Sequence, residues 1–226
     1  MQFSFLFASV SIILVLIAAT DLGTTVKIRI EGSKNTIYES TIFTRGQNVT
    51  TKSGGTHRCD GTNLNSSSKA GPTATSALAD AAKHGHFFWD ADFYSKYDDF
   101  YITRIGDDQS TLKQWWGILV NFKYIPVGGC QQRVQLNNEV LFAYDAFSKK
   151  YFLKLTGPLA ARRSQTKIFT VTDGSTGVPI SGANVGKQLS DENGHVKITF
   201  TSRGRMQLKA ERNDSIRSNA VFVQVK

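Results

Sequence analysis

Val26, Ile28 and Ile30 alternate with Lys27, Arg29 and Glu31 in the stretch TVKIRIEGS, and a period of two residues marks an extended strand with one apolar face. The same period returns at Val196, Ile198 and Phe200, and again at Val221, Val223 and Val225. Turn-forming clusters such as GSKN, DGSTG and DENG stand between such runs, so the chain is suited to many short strands with tight connections. One segment, TATSALADAAKHG, has helical character. Pro72 stands just before it, Thr73 or Thr75 supplies the N-cap, alanines and Leu78 fill the interior, and Gly85 marks the stop. The expected fold is mostly β with one helix: an α+β domain followed by a small β-sandwich.

Within the first domain, TIYESTIFTR, QWWGILVNFKYI and NNEVLFAYDAF read as strands, and KKYFLKLTG as the last of them. The segment GGTHRCDGTNLNSSSKAGPT is rich in Gly, Ser, Asn and Thr and reads as a long surface loop that needs a tether. The texture changes at GPLAARRSQT, which places the domains at residues 24–157 and 164–226.

The leader, residues 1–20, holds an apolar run from Phe5 to Ile17 and closes on Ala18, Ala19 and Thr20. That pattern is a secretory signal peptide; a retained anchor is the alternative, for which the run is short. Export makes the Asn-x-Ser/Thr tripeptides at Asn48, Asn65 and Asn213 candidate glycan sites. It also makes one disulfide the simplest use of Cys59 and Cys130, closing a loop of about seventy residues and adding about 4 kcal/mol in the chain-entropy model. A nucleophilic Cys59, with His57 two residues before it, is the alternative.

The formal net charge is +9, and residues 160–226 carry eleven Lys and Arg against five Asp and Glu. No basic run interleaved with aromatics accompanies it, so nucleic acid is not an expected partner. Outside a cell such a surface meets acidic glycan, membrane surface or protein, or serves solubility alone.

Adjacent residues of a strand point to opposite faces. The parity that buries Trp116 also buries Ile118 and Val120, and it leaves Trp115 outward with Gly117 and Leu119. An outward Trp beside a Gly suits a stacking platform; the alternative packs Trp115 beneath the helix or the long loop. His84, His86, Asp90 and Asp92 have neither zinc nor calcium spacing and read as a solvated loop with no metal. Asp98, Asp99, Asp107 and Asp108 form adjacent pairs without the geometry of a glycosidase. No Gly-x-Ser-x-Gly, His-Glu-x-x-His or phosphate-cradling loop occurs, and no catalytic residue is expected.

The order TATSALADAAKHGHFF, YITRIG, WWGILVN, PVGGC, EVLFAYDAF resembles the transcobalamin-like C-terminal domain, found in secreted and surface proteins, those of fungi among them, and in the smaller domain of animal vitamin B12 carriers. The chain departs from that pattern at Phe122, where the family has an Asn-Gly turn, and at NNEV, which replaces a Gly-Asp turn. PISGANV, Pro179 to Val185, resembles a strand-turn signature of immunoglobulin-like modules. The resemblance implies a ligand or partner near the Trp strand, with Trp115, Trp116, Tyr101 and Tyr144 as contacts and a cobalamin-type corrinoid as one ligand class. The expected function is a secreted, non-catalytic binding protein without a stable membrane anchor. The alternative is a structural or adhesive cell-surface protein that binds glycan or protein.

Overall fold

A computed structural model describes residues 23–226; the leader lies outside the described residues. The N-terminal part is built on β1 (Thr24–Glu31), β2 (Thr36–Thr44) and the hairpin β3 (Gln47–Thr51) and β4 (Gly55–Cys59), followed by α1 (Ala74–Gly85). A second hairpin, β5 (Trp89–Tyr94) and β6 (Asp99–Ile105), carries β7 (Asp108–Gln109), and β8 (Trp116–Val120), β9 (Lys123–Tyr124) and β10 (Glu139–Tyr144) complete it. The central sheet has the order β2-β1-β10-β8-β9, with β1 parallel to β10 and the other pairs antiparallel.

Its inner face buries Val26, Ile28, Ile30, Val140, Phe142 and Trp116, with Ile118 and Val120 partly covered, against Leu78 and the alanines of α1. Parity therefore places Trp116 as expected. Thr73 is the N-cap of α1, and it forms a reciprocal capping box with Ser76. The stop differs from expectation: α1 runs through Gly85, and His86 takes the left-handed conformation at φ 53°. Gly85 is required for another reason, since a Cβ there would lie 2.5 Å from the Tyr38 ring.

The C-terminal part comprises β11 (Tyr151–Thr156), β12 (Ala160–Ala161), β13 (Thr166–Asp173), β14 (Asn184–Val185), β15 (Gln188–Leu189) and β16 (His195–Thr199). It ends with β17 (Gly204–Leu208), β18 (Ala210–Glu211), β19 (Ser215–Ile216) and β20 (Val221–Val225). The sheet β16-β13-β11-β19 faces β12-β20-β17 and β15-β14-β18 across one core, where Phe169, Phe200, Val196 and Val223 are buried. The chain is thus mostly β with a single α-helix among the described residues. Among the described residues, no helix is long and apolar enough to cross a membrane.

Two strand expectations need correction. KKYFLKLTG does form β11, but it hydrogen-bonds to β13 and β19 instead of joining the central sheet. QWWGILVNFKYI is not one strand, because Asn121 and Phe122 both take positive φ, at 51° and 63°, and fold it into the hairpin β8–β9. Positive φ at both central residues is the twist-matched hairpin turn that Asn-Gly normally supplies.

Cys59 and Cys130 form a disulfide across 71 positions, with their Cα atoms 4.5 Å apart. Cys59 is therefore no nucleophile, and His57 stacks on Phe93 at 3.5 Å. The long loop begins only after Cys59, because GTHRC pairs with β3 as β4 rather than forming its first part, and it has a second tether that spacing did not reveal. Arg133 runs beneath Gly61 and Gly71, where a Cβ would lie 2.2 Å and 2.0 Å from its side chain, and it donates to the Lys69 carbonyl at 2.5 Å.

Candidate functional site

The four aromatic residues expected at a ligand separate into three settings. Trp116 and Tyr144 meet edge to face at 5.4 Å and are core residues. Trp116 Nε1 donates to the Asp108 carbonyl and the Tyr144 hydroxyl to the Gln109 carbonyl, so both polar tips are satisfied inside the protein. Tyr101 is exposed on the β5–β6 hairpin and pairs edge-on with Tyr94 at 6.4 Å.

Trp115 is 36% exposed and packs on Phe147 at 5.9 Å, neither under the helix nor under the long loop. Phe147 in turn stacks on Tyr124 at 4.7 Å with an interplanar angle of 12°. Gly117 makes this stack fit, since a Cβ on it would lie 3.2 Å from Tyr124 and 2.7 Å from Ala146. Leu119 does not share this exposure. It is fully buried, with Leu141 and Ala143, against Phe152 and Ile216 of the C-terminal part.

The outer face of the central sheet is thus an interface, and here the alternation in β1 misleads. Arg29 is 7% exposed and Glu31 1%, although period two assigns both to solvent. Glu31 accepts from Lys209 Nζ at 2.7 Å and from Arg217 Nε at 2.8 Å, with Arg29 at 3.7 Å. Lys209 also reaches Glu39 at 2.8 Å, and Glu39 accepts the Ala220 N–H at 2.7 Å. Arg29 donates to the Arg217 carbonyl. Buried charges persist only when paired and hydrogen-bonded; here Arg29 comes from β1 itself, Glu39 from β2 beside it, and Lys209, Arg217 and the Ala220 N–H from the opposite unit.

Where the two units diverge, they leave a cleft of about 340 Å³. Lys27, Arg29, Glu39, Glu139 and Leu141 form its sheet side, and Phe122, Arg205, Asn219 and Phe222 complete the lining. Phe222 reaches the cleft because Val221, Val223 and Val225 take the inward parity of β20 and leave it outward, 40% exposed. The Arg205 guanidinium lies over its ring at 4.1 Å. From the other unit, Phe122 is held by Arg29 and Lys154, each 5.7 Å from its ring centre.

The sequence marked none of these cleft residues as a site residue, although Phe122 stood out as a departure in a turn. The available signals were a phenylalanine in an Asn-Gly position and a phenylalanine on the polar side of an alternating strand. Both are local anomalies whose meaning depends on distant partners.

Several of the remaining polar candidates hold structural partners. His84 Nδ1 meets the Tyr38 hydroxyl at 2.9 Å, and Asp90 accepts from the Ser53 N–H and hydroxyl. Among the described residues, no three of His, Cys, Asp and Glu converge to hold a metal. Asp98 accepts from the Leu64 N–H. Asp99 is buried and accepts the Cys130 and Phe100 N–H groups, so the adjacent pair does not act on one substrate. Burial pushes the Asp99 carboxyl up to about 6, against backbone N–H donors from Cys130, Phe100 and Gln131 that pull it down. The asparagines of all three sequons, Asn48, Asn65 and Asn213, are exposed.

No family model matches the chain, and no curated protein matches it.

Proposed function

We propose that the protein is a secreted, non-catalytic binding protein that takes a small ligand in the cleft between its two β-rich units. The cleft carries this reading. Ligand sites favour domain interfaces and combine apolar walls with a few convergent polar groups, in volumes from about 300 Å³ upward. Export is supported by the apolar leader Phe5 to Ile17, and the disulfide Cys59–Cys130 suits an oxidising compartment.

The likeness of the N-terminal unit to a transcobalamin-like C-terminal domain, and of the C-terminal unit to an immunoglobulin-like module, rests on the order of the quoted motifs. At about 340 Å³ the cleft lies at the lower end for drug-sized ligands, so it would enclose only part of a corrinoid. The ligand is accordingly a smaller molecule. Native mass spectrometry of the protein secreted by its own host tests this. A bound small-molecule mass that is missing from the Phe222→Ala variant is the expected result. A bare mass for the wild-type chain, also after incubation with growth medium, overturns the reading.

The adhesive alternative is favoured by the partly exposed Trp115, Phe147 and Tyr124 stack. Aromatic faces of this kind stack on sugar rings or protein surfaces. Retardation of the wild-type protein, but not of Trp115→Ala, in gels containing cell-wall polysaccharide would support it.

A further inference from the structure

We infer that the ligand of the cleft is a small organic anion with one flat apolar face. This rests on the reading of the cleft as the binding site, and it adds the chemistry of the occupant. Lys27, Arg29 and Arg205 line the cleft, while Lys209 and Arg217 lie in the network beside it. Against these five cations stand three carboxylates, Glu31, Glu39 and Glu139.

The carboxylates are unequally available. Glu31 is shared among Arg29, Lys209 and Arg217, and Glu39 is taken by Lys209 and the Ala220 N–H. Glu139 faces Lys27 across the β1–β10 register. Arg205 has no carboxylate within ion-pair distance among the described residues. The cleft therefore carries an excess of positive charge, and that excess is concentrated at Arg205.

Arg205 is also presented for use. A guanidinium stacked on a ring is fixed in orientation, and its N–H edge stays open to a planar acceptor such as a carboxylate. The same ring, Phe222, gives the occupant an apolar surface, and Phe122 supplies a second phenyl from the other unit. An amine placed here would face Arg205 and Lys27 together, and like charges so close select against it.

Naphthoate, naphthylmethanol and naphthylmethylamine share a flat ring and differ in charge at neutral pH. Titrating each into the isotope-labelled full chain, freed of any co-purified ligand, reads out both site and preference. The expected result is amide shifts gathered at Lys27, Arg29, Leu141 and Phe222, with naphthoate about tenfold tighter than the alcohol and the amine weakest. Arg205→Gln should bring naphthoate down to the alcohol, and Phe222→Ala should weaken both; each of these side chains is exposed, so the variants keep the fold. If the alcohol or the amine binds the cleft as well as naphthoate, the anion inference falls and the cleft reading stands. If no probe moves the cleft amides, the inference falls, and the mass measurement decides the cleft reading independently.

Discussion

Phe122 occupies a φ of 63°, a backbone region that bulky L-residues rarely adopt, and it keeps that place because its ring is 94% covered. Gly174 makes the cover close, since a Cβ there would lie 2.2 Å from the phenyl. Phe122→Gly relieves about 1 to 3 kcal/mol of backbone strain and forfeits about 3 to 5 kcal/mol of burial, a net loss of about 2 kcal/mol readable by urea denaturation. Asp99 gives a second prediction at this scale. Its carboxyl stands at about 6 in the folded protein against an ordinary 3.8, so between these values the folded state binds a proton that the unfolded chain has released. Stability from this group is therefore present at low pH and declines as pH rises through that window. The melting temperature of the wild type relative to Asp99→Asn should fall from pH about 4 to pH about 6; a constant difference would contradict the assignment. Sequence exposed both residues as oddities, one in a turn and one in an acidic pair. It hid their purpose, because Gly174 and the Cys130 N–H meet them only through the fold.

At the scale of elements, the helix and the inward parity of β1, β8, β16 and β20 were legible because each depends on neighbours within a few positions. Thr73 and Ser76 cap α1 from within its own first turn. The outward parity was not legible. Arg29 and Glu31 look like the solvent side of an amphipathic strand, and the same residue types serve a buried ion network once Lys209 and Arg217 arrive from the other unit. Periodicity reports which side chains share a face and is silent on what covers that face. Glu31→Ala leaves three cations facing a missing carboxylate in a buried site and should cost about 3 to 5 kcal/mol, measured by chemical denaturation. A loss below about 1 kcal/mol would show instead that water reaches the network.

For the whole molecule, the two units share Leu119, Leu141, Ala143, Phe152 and Ile216 in one apolar cluster beside the ion network. Residues 23–148 produced alone would expose that cluster and leave Glu31 without Lys209 and Arg217. Such a fragment should bind an apolar dye and melt well below the full chain, whereas a full chain with both units intact should melt in a single transition. Replacing both cysteines by serine should lower stability by about 4 kcal/mol through the freed loop of 71 positions. The disulfide itself was legible from counting; the partnership of the units was not, because it is written in residues that also suit a solvated surface.

The parallel seam between β1 and β10 has one further consequence. Lys27 to Glu31 pair with Glu139 to Ala143, so the middle of the central sheet lacks its second strand until nearly two thirds of the chain has been made. A ribosome delivers β1 and β2 first, and that hairpin can zip at once; the seam must wait. Cys130 emerges before Glu139, so the bridge to Cys59 can form ahead of the seam and shorten the excursion that the late strand must close. The crosslink thereby sets an order of events: refolding from the reduced state should be slower than refolding with the bridge intact, by a delay that belongs to the search of β10 for β1.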